Sequence, residues 1–318
     1  MAESLKEVEH LVAGEMDRNL LPGVQTAARA IRQRHGPAVA AILFYGSCLR
    51  DGIEKDRLID FYVFTHSLSA FHGAGVHALL NALLPPNVYY IEAPFEGRKV
   101  RSKYAVMSLD QLQRQTHASA FFSTLWARLS QPCALVFVRD DGVRVQIISA
   151  LSHAIATTCA QTAPLFSQPF SARELWTRAM QESYRTEFRS EGSARAAELY
   201  DAGCRRFDEV TELLAKGGIL EKSPASGSGT QLFFPSAREV TRALHWRKWK
   251  RRRVSGKILQ IFRLAKATLT FEGGLDYILY KIAKHSGHRI TVTDWQRRHP
   301  LLAAPALAWR LYRRGAFH

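Results

Sequence analysis

Apolar residues concentrate early in the chain in two short continuous runs, Ala38 to Tyr45 and Leu58 to Thr65, with helix-spaced stripes around them. Runs of this length, rich in β-branched and aromatic residues and bounded by polar loops, predict buried strands. Residues near 3–19 and 24–34 have helical spacing, and Leu20-Leu21-Pro22-Gly23 breaks the two apart. A further helix fits roughly Ala70 to Leu84, closed by Pro85-Pro86. Asn87 to Glu92 predicts a third strand and Cys133 to Arg139 a fourth, followed by an Asp140-Asp141-Gly142 turn. Strands and helices in alternation predict an α/β first domain over residues 1–145. From about Val145 to Gly217 the pattern turns helical, and Ser171-Ala172-Arg173-Glu174 matches a capping box. A second, helical domain over 146–225 follows from this. Glu221 to Pro235, rich in Ser and Gly, predicts a linker, so that residues 226–318 comprise linker and tail.

Composition sharpens this picture mainly through charge. The 318 residues are 47% hydrophobic, enough for a sizeable core. No apolar run approaches the length of a membrane-spanning helix. The acidic start, Met1 to Glu9, predicts neither a transit nor a signal peptide. Cys48, Cys133, Cys159 and Cys204 are scattered without metal-ligand or disulfide spacing, which predicts reduced thiols in a cytoplasmic protein. The formal charge of +16 implies an anionic partner: nucleic acid, an acidic membrane surface or polyphosphate. The excess sits late in the chain. Arg242 to Lys266 carries ten Lys or Arg and no acid, and five Arg follow Asp294.

The candidate chemistry lies between the two apolar runs. Ile42 to Ser47 is an apolar run ending in Gly-Ser, and Leu58 to Phe64 is a second run carrying one carboxylate, Asp60. Nucleotidyl and phosphoryl transfer depend on positioning and on metal ions held by carboxylates at strand ends. An isolated carboxylate in an apolar strand is costly, which favours a metal role for Asp60 over a cap or an Arg pair. A nucleotidyltransferase of the DNA polymerase beta type is built in this way. Such proteins carry two carboxylates one residue apart on a strand face, but here Tyr62 stands at the second position. Glu92 and Glu187 are the candidates for the missing acid, and a surface role is the alternative for each.

The order of motifs resembles the mitochondrial-type phosphatidate cytidylyltransferases, the peripheral CDP-diacylglycerol synthases of the translocator-maintenance class. Tyr45-Gly46-Ser47, Ile59-Asp60-Phe61 and Phe71-His72 resemble that family's Tyr-Gly-Ser, apolar-Asp-Phe and Trp-His elements. Lys103-Tyr104-Ala105-Val106 is similar to its Lys-Tyr-Gly-Val, and Trp126 to Pro132 to its Ala-Gly-Arg-Leu-x-Lys-Pro. Phe170-Ser171 to Leu175-Trp176 echoes its Phe-Ser/Thr-x-x-x-Leu-Phe, and Ser183 to Arg189 its Ser-Tyr-x-Gly-Asp-x-Arg. Ala105 and Ala127 replace Gly, Gln131 replaces Lys and Glu187 replaces Asp. The matches cover roughly residues 40–190 and fade beyond about 235.

The resemblance implies a nucleotidyltransferase domain, a winged-helix-like second domain and a membrane-seeking C-terminal tail. The implied reaction joins CTP to phosphatidic acid with magnesium, giving CDP-diacylglycerol and pyrophosphate. Asp60, alone or with Glu92, would hold Mg2+, and Tyr45, Gly46 and Ser47 would cradle phosphates. Lys103, Arg128 and Arg189 would supply counter-charges, and Tyr104, beside Lys103 in its motif, would join the binding residues. Glu187 is the alternative second acid, and His72 is either a general base, a phosphate ligand or a structural histidine. In the tail, His245 to Arg253 mixes indoles with cations, as interfacial membrane segments do, and Pro305 to Arg314 has the same character. An anionic membrane surface is the favoured partner and nucleic acid the rival. The expectation is a cytoplasmic enzyme associated peripherally with the inner face of the membrane. The alternatives are transfer to another lipid or sugar phosphate, and an inactive scaffold binding anionic membrane or RNA.

Overall fold

The computed structural model describes residues 2–187, 193–224, 231–235, 239–270 and 293. The elements run α1 (Ala2–Met16), α2 (Pro22–His35), β1 (Ala41–Tyr45), α3 (Ser47–Asp51), β2 (Leu58–Thr65), α4 (Leu68–His72), α5 (Val76–Leu83), β3 (Asn87–Phe95) and β4 (Arg98–Ser108). Then come α6 (Leu109–Thr116), α7 (Ser123–Leu129), β5 (Cys133–Val138), α8 (Asp141–Thr162), β6 (Phe170–Ser171), α9 (Ala172–Tyr184), α10 (Ser193–Asp201) and α11 (Cys204–Lys216). The short strands β7 (Leu220–Lys222) and β8 (Leu232–Pro235) precede the long helix α12 (Glu239–Thr270).

Five strands form one mixed sheet in the order β3-β4-β2-β1-β5. β1 is antiparallel to both β2 and β5, whereas β2 and β4 run parallel. Successive strand residues face opposite sides, so the apolar runs divide between two cores. Phe44, Phe61, Val63, Tyr104 and Val106 pack with Val24, Ala27 and Ile31 of α2 on one face. Leu43, Tyr62, Phe64, Ala105 and Met107 pack with α1, α7, α8 and α9 on the other. That second core continues past residue 145 without a break, through Trp176, Phe207 and Trp249.

The structure departs from the sequence pattern in four places. β4 is not predicted by apolar continuity, because its first half alternates cations with buried Val100 and Ser102. The expected helix over 70–84 is two short helices, divided at Gly73-Ala74-Gly75, where Gly73 takes φ +77°. The expected linker over 221–235 instead contributes β7 and β8, which pair with β6 in a three-stranded sheet pinned by buried Leu220 and Phe233. Within the basic stretch, α12 packs on the body: Trp249 and Arg252 are buried, although both fit an interfacial membrane segment by type. The Pro305 to Arg314 segment lies outside the described residues.

Several contacts fix α12. The Trp249 indole donates to the Gln161 carbonyl and meets Trp126 edge-on, with Arg252 stacked over both rings. Arg253 joins Arg178 and Arg185 around the fully buried carboxylate of Glu182 on α9. The crossing is closest at Gly256, where a Cβ atom would lie 2.6 Å from the Thr186 carbonyl oxygen. Gly256→Ala is therefore expected to force the helix outward and cost about 1–3 kcal/mol of unfolding free energy, measurable by urea titration.

His35 and His72 lie on the α2 face. His35 bonds the Tyr104 hydroxyl, while His72 bonds Tyr89 and Asn81. Burial first, then the cation Arg34 for His35 and the neighbours His77, His35 and Lys266 for His72, lowers each pKa from 6.5 to about 4. The unfolded chain thus takes up these protons first. Their stabilising contribution is complete above about pH 6.5 and is lost as pH falls towards about 4. Unfolding midpoints at pH 7.5, 5.5 and 4.5 should fall accordingly. The double variant His35→Gln/His72→Gln should show a shallower slope.

Candidate active site

The site is assembled at the end of β1. The strand closes at Tyr45, and Gly46 turns the backbone at φ +93° into α3, which Ser47 opens. Directly opposite Tyr45 on β2 is Asp60, and opposite Asp60 on β4 is Lys103. Only glycine fits the turn comfortably. Its φ lies in the region other residues avoid, and the turn runs close beside Asp60, where a Cβ would reach ordinary contact at 3.4 Å from Oδ2. Backbone, carboxylate and ammonium thereby meet in one row across the three central strands, at the end of β1.

The Lys103 ammonium lies 3.2 Å from Asp60 Oδ1, yet that oxygen is buried with no hydrogen bond of acceptable geometry. A buried carboxylate oxygen left in this state is under-satisfied and suited to a cation. Behind it, Tyr45 and Tyr62 stack at 4.8 Å. The Arg128 guanidinium donates to the Tyr62 hydroxyl at 3.4 Å and to both Glu187 oxygens at 3.3 Å. Burial opposes the Arg128 charge, but Tyr62 and Glu187 outweigh it and hold its pKa above the usual arginine value. Burial, then Tyr62 and Asp60, pushes the Tyr45 phenol up, so it stays protonated. Glu187 is fixed in turn from its neighbour Thr186, whose hydroxyl pairs with Ser123 and whose carbonyl backs onto α12.

A cavity of about 290 Å3 opens in front of these groups. It collects Tyr45, Gly46, Ser47, Asp60, Lys103, Arg128 and Glu187, all candidates from the sequence. It also collects Arg50 of α3 and Arg195 of α10, which sequence reasoning missed. Arg50 follows the Gly-Ser turn by one helical turn and was legible in principle. Nothing local marks Arg195, which is brought in by the packing of α10 on α9. Four cations and two carboxylates line the cavity; Lys103 and Arg128 pair with Asp60 and Glu187 inside it, and Arg50 and Arg195 pair with Asp51 and Glu198 at its rim.

Three candidates are not brought to the site. His72 has both ring nitrogens engaged by Asn81 and Tyr89, and it contributes nothing to the cavity. It is a structural histidine rather than a base or a phosphate ligand. Tyr104 follows Lys103 and so faces the opposite side of the sheet, buried against His35. Glu92 sits two strands from Asp60 on β3, where Tyr90, Lys99 and Arg101 surround its carboxylate, so it does not complete a metal pair with Asp60. Arg189 lies outside the described residues.

Among the described residues there is no cluster of three His, Cys, Asp or Glu side chains placed to hold a metal. The cavity offers two carboxylates, Asp60 with an oxygen that accepts no hydrogen bond and Glu187 engaged by Arg128. This fits magnesium, which commonly takes one or two carboxylates and completes its shell with water and substrate phosphates.

No protein-family model matches this chain, and no curated protein matches it. Among solved structures, a nucleotidyltransferase-like protein from Exiguobacterium sibiricum 255-15 is similar over 67% of this chain and 100% of its own, at 11% identity and a TM-score of 0.28. A likeness this weak says nothing about the site, whose own geometry stands alone. That geometry makes one substitution decisive. Gly46→Ala should strain the turn by about 1–3 kcal/mol through its positive φ, lowering the melting temperature measured by calorimetry.

Proposed function

We propose that this chain is a magnesium-dependent nucleotidyltransferase, and within that class a phosphatidate cytidylyltransferase. One observation carries the class: the Gly46–Ser47 turn and an Asp60 carboxylate with an oxygen that accepts no hydrogen bond open together into one cavity lined by four cations. CTP and phosphatidic acid are taken from the resemblance in motif order.

In this reading the turn and Ser47 receive the β- and γ-phosphates. Lys103, Arg128 and Arg195 neutralise charge that develops on the triphosphate. Asp60 holds Mg2+, which supplies further charge neutralisation when bound. An acceptor phosphate oxygen forms a bond to the α-phosphorus as the bond to the bridging α–β oxygen breaks, and pyrophosphate leaves with that electron pair. A phosphate monoester with a second pKa of about 6 is largely deprotonated at neutral pH. It has no proton to surrender at the attacking oxygen, so the reaction needs no general base, in keeping with the position of His72 away from the cavity.

No helix among the described residues is long and apolar enough to cross a membrane. Access to a lipid acceptor would fall to the outer face of α12, where exposed Val254, Ile258 and Ile261 repeat at helical spacing beside exposed Lys250, Arg251 and Lys257.

A second reading has its own support. Each acid of the cavity is already matched with a cation, Asp60 with Lys103 and Glu187 with Arg128, and Tyr62 stands where a second acid is usual. This favours an inactive scaffold that binds anionic membrane. Pyrophosphate release separates the readings, measured with magnesium, each of the four nucleoside triphosphates, and liposomes with or without phosphatidic acid. Release only with CTP and phosphatidic acid, falling at least a hundredfold in Asp60→Ala, is the expected result. Silence with all four, while liposomes still bind, would overturn the cytidylyltransferase and point to a different acceptor or to the scaffold.

A further inference from the structure

The Arg128–Glu187 pair does not close the back of the site. Beyond it lies a second cavity of about 560 Å3, between the sheet face and α12, and Tyr45, Lys103, Thr124, Arg128 and Glu187 line both compartments. The two differ in character. The second is walled on one side by Val88, Ala105, Met107, Leu125 and Leu264. Its charged residues are Lys103, Arg128, Arg263 and Lys266 against the single carboxylate of Glu187.

Two of those cations come from α12. The Lys266 ammonium donates to the Leu84 and Pro86 carbonyls, which leaves one of its three N–H groups. Arg263 is set among Tyr62, Arg128 and Glu187, and its Nε is buried with no hydrogen-bond partner. A buried guanidinium nitrogen without a partner is destabilising, and the fold does nothing to satisfy it. Burial is also the main cause that lowers the pKa of Arg263, ahead of the attraction of Tyr62. An anion entering the cavity would repair this defect, and the apolar wall would cover whatever the anion carries.

We infer that the second cavity binds an amphiphilic phosphate monoester, its phosphate held by Arg263 and Lys266 and its apolar body lying against Met107, Leu125 and Leu264. The inference rests on the reading of the first cavity as the nucleotide site, and it makes the second the acceptor compartment. The phosphate then sits beside Arg128, at the boundary with the triphosphate. Arg263 and Lys266 lie outside the stretch that carries the family resemblance.

Calorimetric titration of the full chain tests this, with decyl phosphate kept below its micelle concentration, glucose 1-phosphate and inorganic phosphate. Saturable binding of decyl phosphate, at least tenfold tighter than either other probe, is expected. Arg263→Gln should weaken it tenfold or more, as loss of a charged hydrogen bond does. The melting temperature of Arg263→Gln should hold or rise, because an unsatisfied buried cation has been removed; a structural arginine would lower it. Ala267→Phe fills the same cavity without changing charge and should also weaken decyl phosphate binding, so the test survives if one variant fails to fold. Equal affinity for inorganic phosphate or glucose 1-phosphate, or unchanged decyl phosphate binding in folded variants, would overturn the assignment. Titration of magnesium and CTP into the wild-type chain reads the first cavity separately. Nucleotide binding without decyl phosphate binding refutes the acceptor compartment alone, whereas absence of nucleotide binding refutes the reading beneath it.

Discussion

The alternation of side chains along β2 is the constraint on which the site depends. Asp60, Tyr62 and Phe64 share one face of the strand, and Ile59, Phe61 and Val63 share the other. Both faces are covered, so a slip of one residue would drive Asp60 into the apolar core beneath α2 and lift Phe61 into the cavity. Two separate cores therefore hold the register that aligns Asp60 with Tyr45 on one side and Lys103 on the other. The parallel pairing of β2 with β4 matters equally, because it delivers the ammonium to the same row as the carboxylate.

How much of this was legible follows from the range of the forces involved. β1 and β2 announce themselves through unbroken apolar runs, and Ser171 with Glu174 forms the capping box its spacing predicts. β4 was hidden because its outward row is cationic and only alternate residues are buried. The same alternation shows why Lys103 and Tyr104 cannot both reach the cavity, an exclusion available from period-two geometry alone once the segment is known to be a strand. The placement of His72, Glu92, Arg195 and Arg263 was not available. Each depends on which distant element packs against it, and local spacing does not encode that. Glu187 was legible only through motif order, and its pairing with Arg128 spans 59 residues.

The basic stretch illustrates how composition and structure can diverge. Ten cations without an acid suggest a solvated or surface-binding segment, yet several are committed inward. Arg253 meets Glu182, Arg252 stacks on two indoles and bonds the Phe121 carbonyl, and Lys266 grips two backbone carbonyls. The acids that balance part of this charge lie far away in sequence. Net charge over a window thus overstates what reaches solvent. The outward face of α12 is correspondingly simpler, an apolar stripe beside fewer cations.

The place of α12 in the chain has a consequence for biosynthesis. The walls of the second cavity other than α12 come from residues 45–187, whereas α12 is completed only at residue 270. A nascent chain can therefore finish its sheet while the trough beside Leu125 still stands open, its apolar wall formed but the Arg263 and Lys266 cations of α12 not yet in place. During that interval the apolar wall is exposed while the two cations assigned to the phosphate are still missing. Docking of α12 both covers that wall and creates the anion site, so the compartment gains its binding function only in the last step of folding of residues 2–270.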